Sequence, residues 1–247
     1  MKNRIPTLLI LLSVCLSASA QKHKDHTASI CNCHRANLGI STHDIRLYEC
    51  LQDFNDSVFN FINDYGISNN SDWEVMTGMG AFCIMVPPQD SLKLDKLVRQ
   101  AIRDGKLDAK RYIPVWNSTR ETMAYVGGAE RSFSLLCFGR AKVVEGSRGD
   151  RHAVAVMDGS VIDKVEVEES ATEKHKYVAH LTLNKEGAKQ FGQFSKRNMG
   201  KRIVFAIGDD HGIVIEVMSV IESGRLSVWG LTLEDACALA DAVNKLH

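Results

Sequence analysis

The sequence predicts an α+β fold: an antiparallel sheet with packed helices in the C-terminal half, preceded by a smaller α+β half. Three observations carry that reading. Lys176 to Leu183 (KYVAHLTL) alternates polar and apolar residues, as a half-buried strand does. Ile203 to Ile207 (IVFAI) is apolar throughout, which suits a central strand buried on both faces. Between and after these runs, polar residues stand where helices need caps: Asn184 before Lys185 to Met199, and Thr232 with Asp235 before the closing helix.

At the start of the chain, Lys2 and Arg4 precede the apolar stretch Leu8 to Leu16, and Ala18-Ser-Ala20 before Gln21 is a small-residue cleavage site. The apolar stretch is well short of the roughly 20 residues that span a bilayer. Residues 1–20 are therefore expected to be a signal peptide cleaved after Ala20, leaving no membrane span and a periplasmic or secreted protein. Acylation at Cys15 is the alternative, although Val14 is bulkier than the small residue such processing favours. Residues 21–40 read as a flexible polar tail. Within it, His23, His26, Cys31, Cys33 and His34 offer imidazole and thiolate donors of the kind copper and zinc prefer. Their spacing matches no structural zinc motif, and the plainer reading is a solvated tail with a disulfide.

Residues 41–148 form the expected N-terminal α+β region. Ser41 to Tyr65 reads as one helix, because Leu47, Leu51, Phe54, Val58, Phe61, Ile62 and Tyr65 recur at three- and four-residue spacing and Gly66 follows. Its stripe packs on the strands that follow, or serves a dimer or partner helix. After a polar link, Gly80 to Val86 is a buried strand ended by Pro87-Pro88. Leu92 to Ile102 is a helix with Leu94, Leu97, Val98 and Ala101 inward. Arg111 to Trp116, Thr122 to Val126 and Ser132 to Phe138 are strands, with Gly127-Gly128 turning between the last two.

The polar stretch Glu145 to Arg151 marks the internal boundary, and 149–247 is expected to fold alone. After the first strand and its helix, Gly200 supplies a left-handed stop. Ile203 to Ile207 then turns through Gly208 to Gly212 into a long strand, Ile213 to Ile221, followed by a short one, Leu226 to Trp229. In the closing helix Leu233, Ala236, Ala240 and Val243 share a face. The expected order is strand, helix, three strands in hairpin sequence, helix. Because the last strand is short, part of the long one is expected to lie unpaired at a sheet edge, open to an extended peptide. Ile213, Ile215 and Trp229 are the candidate binding residues.

The run L-T-L-N-K-E-G-A-K-Q-F, then N-M-G-K-R-I-V-F-A-I-G-D, then W-G-L-T-L-E-D-A-C-A-L-A-D-A-V resembles the head of the first periplasmic (P1) domain of SecD and fused SecDF protein-export membrane proteins. A weaker likeness runs upstream through Val154 to Val165 and Leu94 to Trp116, so it covers the chain from about Ser91. The chain departs from the family near Ile215, where members tend to place a proline, and near Ser223-Gly224, where they place a Gly-Gly pair. The resemblance implies a SecDF P1-head-like domain over 149–247, ending about where those proteins enter their next membrane span. It also implies contact with polypeptide, since the head is thought to hold chains emerging from the translocon. Active export is not implied, because the spans that couple it to the proton gradient are absent.

Composition narrows the function classes. At 247 residues and 45% hydrophobic, the chain can bury a core in one or two domains. Thirty basic and thirty acidic residues leave a net charge of zero, which offers no electrostatic footprint for nucleic acid. Of the six cysteines past the cleavage site, Cys83, Cys137 and Cys237 sit in apolar patterns that suit buried free thiols. No nucleophile elbow, zinc-protease motif, P-loop or dinucleotide fingerprint is present. Asp209, Asp210 and His211 cluster at an expected hairpin tip, where turn chemistry explains them. The expectation is an exported non-enzymatic binding module, without catalytic residues or cofactor, that contacts polypeptide or a cell-envelope protein partner. The alternative is a small periplasmic hydrolase or metal-dependent enzyme built on the N-terminal half. A pocket joining His43, His152 or His211 to carboxylates would favour that alternative. Ligand and oligomeric state are left open.

Overall fold

The segment expected to be one helix, Ser41 to Tyr65, is divided: Ile45–Cys50 is strand β1 and Asp56–Asp64 is helix α1. The correction has a physical reason. Ile45 and Leu47 enter one apolar core while Tyr48 and Cys50 enter another, and a strand between paired neighbours buries both faces where a helix buries one stripe. The architecture comes from a computed structural model and is described for residues 40–52, 56–78, 81–117, 122–126, 129–147, 149–208 and 211–244. The expected signal peptide with Cys15, the expected tail with His23, His26, Cys31, Cys33 and His34, the expected Gly127-Gly128 turn, and Asp209-Asp210 lie outside the described residues.

The fold is mixed α+β, as expected. After α1 come β2 (Glu74–Gly78), β3 (Ala81–Val86), α2 (Ser91–Arg103), β4 (Tyr112–Asn117), β5 (Thr122–Val126) and β6 (Ala129–Arg140). Short β7 (Lys142–Glu145) and β8 (Arg151–Val154) form a hairpin through the polar stretch read as a boundary. Then follow β9 (Met157–Asp158), β10 (Ile162–Glu169), β11 (Tyr177–Leu183), α3 (Lys185–Arg197), β12 (Arg202–Ile207), β13 (His211–Glu216), β14 (Arg225–Leu231) and α4 (Leu233–Asn244).

A nine-stranded sheet takes strands from both halves of the chain, and part of it closes on itself. β1 pairs β12, β12 pairs β13, β13 meets β4 in parallel, β4 pairs β6, and the end of β1 pairs β6 through Glu49↔Arg140 and Cys50↔Gly139. The ring interior is filled with small side chains, among them Cys50, Val115, Cys137, Val204 and Ala206, with Tyr48 the large exception. Small barrels are filled in this way, leaving no channel. Two positions in the wall must be glycine for that packing. A Cβ at Gly139 would stand 2.9 Å from Tyr48 Cβ, and one at Gly212 would stand 2.8 Å from Val115 Cγ1.

Outside the ring lie two further cores. α1 and α2 cover β3, β4 and β6 with Val58, Phe61, Leu94 and Val98 against Phe82, Ile84 and Phe138. On the other side β1, β12 and β13 face α3, α4 and a three-stranded sheet ordered β10-β11-β14. Ile203 to Ile207 lacks a solvent face because Val204 and Ala206 point into the ring while Ile203, Phe205 and Ile207 enter the outer core. The expected hairpin sequence fails at its third strand: β14 runs seven residues and pairs β11, not β13. β12 and β13 of the segment 149–247 share a sheet with β1 and β4 of the N-terminal region.

The caps behave as the sequence foretold. The Asn184 side chain accepts a hydrogen bond from Gly187 N at 2.8 Å, and Thr232 Oγ1 accepts one from Asp235 N at 3.1 Å. Gly200 has φ +71° after α3, the left-handed stop that a residue without Cβ adopts readily.

Candidate functional site

The chain leaves the large sheet at the end of β13. Val217 N donates to Lys201 O at 2.9 Å, and the next residues cross to the three-stranded sheet. Ser195 ties this crossing down: its buried Oγ accepts from Ile221 N at 3.0 Å and donates to Gly192 O at 3.1 Å. Beneath the crossing lies a narrow apolar cleft with about 40 Å³ of free volume, open to solvent on one side. Phe205, Ile215 and Val217 form its floor, Phe191 of α3 one wall, and Ile221 and Leu226 another. A smaller apolar space continues from it past Leu47 and Phe205 toward Met157 and Ile162.

Large apolar side chains stand exposed around the mouth. Met218 is 55% and Val220 38% exposed on the crossing segment, and Met199 is 47% exposed next to Gly200, whose N–H donates to Val217 O. The crossing belongs to neither sheet, so no core is available to receive Met218 and Val220. Methionine is unbranched and polarizable and adapts to irregular apolar partners, which makes such a rim suited to binding varied apolar segments.

The sequence-derived binding candidates fall in three places. Ile215 lines the cleft, Ile213 is buried in the adjoining core, and Trp229 sits further along β14. Trp229 and Gly230, at φ +79°, together oppose Val178 in a bulge, and the Trp229 Nε1 is enclosed without a hydrogen-bond partner among the described residues. The outer edge of β13 is taken by β4 only at His211↔Trp116 and Gly212↔Asn117. Beyond that, 213–216 has no ladder partner on this side among the described residues. The edge at β10 is blocked differently: the Asn244 amide accepts from Val165 N at 3.2 Å and donates to Val165 O at 2.9 Å, imitating a neighbouring strand.

His43, His152 and His211 do not converge. His43 lies 3.9 Å from Asp158 with a largely exposed ring, His152 pairs with Asp150 in the β7–β8 hairpin, and His211 opens β13. A different histidine makes the polar chain that the sequence did not reveal. On three adjacent strands, His180 Nδ1 lies 2.8 Å from Ser227 Oγ and His180 Nε2 lies 2.9 Å from Glu168 Oε1. With Nε2 protonated toward Glu168, Nδ1 is positioned to take the Ser227 proton, the relation of a base to a nucleophile. Ser227 also borders the cleft. The His180 and Glu168 side chains are 39% and 37% exposed, so water competes for each of these bonds. Among the described residues, no group of three or more His, Cys, Asp or Glu side chains is arranged to hold a metal ion, and no helix is long and apolar enough to cross a membrane.

No family model and no curated protein matches the chain. Among solved structures, "Structure and function of a membrane component SecDF that enhances protein export" aligns over 81% of this chain and 91% of that chain, at 13% identity and TM-score 0.33. "Crystal structure of SecDF in Super-membrane-facing form" aligns over 76% of this chain and 31% of that one, at 12% identity and the same TM-score, 0.33. The chain is thus weakly similar in fold to SecDF structures, and at this TM-score the likeness carries no argument about function.

Proposed function

We propose that the protein is an exported, non-enzymatic binding module that takes apolar stretches of unfolded polypeptide, or of a cell-envelope protein partner, into the cleft beneath the β13–β14 crossing. The observation that carries this reading is the apolar cleft with Met199, Met218 and Val220 exposed around it. Burying one such side chain against a partner contributes about 1.5–3 kcal/mol, enough for a few contacts to give measurable affinity before ordering costs are subtracted. The zero net charge gives long-range attraction no role, so binding is expected to depend weakly on salt. The test is a titration of unfolded model polypeptides against the protein at low and high salt, repeated with Met218→Asp. Binding at both salts that Met218→Asp weakens at least several-fold supports the reading. Absence of binding, or binding lost on adding salt, removes it.

A second reading has its own observation, the Ser227–His180–Glu168 chain bordering the cleft. It would make the protein a hydrolase of apolar acyl esters with Ser227 as nucleophile and His180 as base. Hydrolysis of short-chain aryl esters that is lost in both Ser227→Ala and His180→Gln would establish it. Polypeptide binding that survives Ser227→Ala would keep the two readings apart. The exposure of His180 and Glu168 is why the binding reading is preferred.

A further inference from the structure

β3 and β6 run antiparallel with Cys83 directly opposite Cys137. Side chains so placed share a face, with Cβ atoms about 4.5–5.5 Å apart, and disulfides join Cβ atoms about 3.5–4.5 Å apart. The two ranges meet, so a small approach of the strands suffices. Both residues are buried free thiols in this structure, at 3% and 0% exposure, and both belong to the core that fills the ring. Cys50 lies in the same core, opposite Gly139 on β6. The two facing thiols are unequal. The hydrogen bond between the two thiols lowers the Cys83 pKa, with help from the Arg202 charge, and pushes that of Cys137 well up, with burial adding to the rise; burial pushes Cys50 up to about 12. Cys83 is therefore the member that ionises first, and the thiolate is the form that attacks disulfides.

We propose that Cys83 and Cys137 form a cross-strand disulfide when the chain meets a disulfide oxidant, covalently fastening β3 to β6. The Cys83 thiolate attacks one sulfur of the oxidant, whose S–S bond breaks and releases one thiolate. Cys137 then gives up its proton, attacks Cys83 Sγ, and expels the oxidant's second sulfur as a thiolate. Both released thiolates take up protons. In sum, two cysteine thiols lose two protons and two electrons, and the oxidant's disulfide takes them up to become two thiols. Because both sulfurs are enclosed, the exchange runs during folding or when the β2–β3 hairpin lifts from β6.

The test uses the full mature chain, unfolded under reducing conditions and refolded in a mixture of oxidised and reduced glutathione. After acid quenching, free thiols are alkylated in denaturant without reduction, and the digest is mapped by mass. The expected result is loss of alkylation at Cys83 and Cys137, recovery of their two peptides as one linked species, and full alkylation of Cys50 and Cys237. The Cys50→Ser chain should give the same linked species. Alkylation of both Cys83 and Cys137, or a link from Cys83 to Cys50, would overturn the proposal. So would disappearance of the Cys83–Cys137 link in Cys50→Ser.

Discussion

A methyl group at position 212 is the sharpest probe of the closed ring. In Gly212→Ala the new Cβ would contact Phe205 O and stand 2.8 Å from Val115 Cγ1 and 2.9 Å from Ala206 Cα. Two of those neighbours are main-chain atoms of β12, and the third is held in β4, so relief requires the ladders on both sides of β13 to move. Overpacking of this kind costs about 1–3 kcal/mol. The loss of unfolded-state freedom on replacing glycine returns about 0.4–1 kcal/mol. The net loss of about 1–2 kcal/mol, at about 2–4 °C per kcal/mol for a chain of this size, lowers the melting midpoint by about 2–8 °C. The assay is calorimetry with site-resolved amide exchange. Exchange should quicken in β4, β12 and β13 while α2 keeps its protection. The matched control is Gly105→Ala, where φ is +69° but no heavy atom lies within 4 Å of the new Cβ. Its cost is backbone strain alone, and it should leave exchange in the ring unchanged. An unaltered midpoint in Gly212→Ala, or faster exchange that bypasses β4, would refute the packing described for the ring.

Other expectations follow from single contacts. Ser195→Ala leaves the Ile221 N–H without its acceptor and should cost about 1–3 kcal/mol by urea titration, with the β13–β14 crossing exchanging fastest. Asn184→Ala removes the cap of α3 and should cost about 0.5–2 kcal/mol, read from the same titration. The Tyr65 hydroxyl donates to Asp104 Oδ2 at 2.6 Å, a bond that lowers the Asp104 pKa and raises that of Tyr65 to about 12. Asp104 thus adds stability above its unfolded pKa, which is lost as pH falls through its lower folded value. Tyr65 adds stability below its unfolded pKa of 10.0, which is lost as pH rises through about 12. The stability difference between the native chain and Tyr65→Phe should therefore be level near neutrality and shrink at both extremes; a difference independent of pH would contradict the bond. The isolated fragment 149–247 should melt without cooperativity, because β12 and β13 lose β1 and β4; a sharp transition would contradict the shared sheet.

What the sequence disclosed was mostly local. Asn184 and Thr232 were legible as caps because a cap needs only its own first turn, and Ile203 to Ile207 announced burial on both faces by lacking any polar residue. β1 was missed because Leu47, Leu51 and Phe54 fall at helical spacing just before a true helix, and what makes 45–50 a strand lies in β12 and β6. β14 was given to the wrong neighbour because consecutive strands usually pair, and only the Tyr177 to Thr182 register shows otherwise. Ile215 pointed toward the cleft, yet Met218 and Val220 read as continuation of a strand, since nothing local says that the strand ends at Glu216. The Ser227–His180–Glu168 chain needs the register of three strands before its members become neighbours at all.

Arg46 on β1 donates a hydrogen bond to the Gly208 carbonyl 162 positions later, and that span sets the order in which the molecule can assemble. A polypeptide made, or threaded through a channel, from its amino end presents β1 early and its principal partner β12 only after about four-fifths of the sequence has been delivered. Contacts so distant form slowly, because the intervening chain must first be confined. Until then β1 offers an uncovered edge, the kind of surface on which incomplete chains cling to one another. A copy cut short before Arg202 lacks the strand that pairs β1 along most of its length and keeps only the two-residue ladders with β6 and β9. The ring therefore doubles as a check on length: a chain that stops before β13 is complete cannot close it, and such fragments stay open to proteolysis.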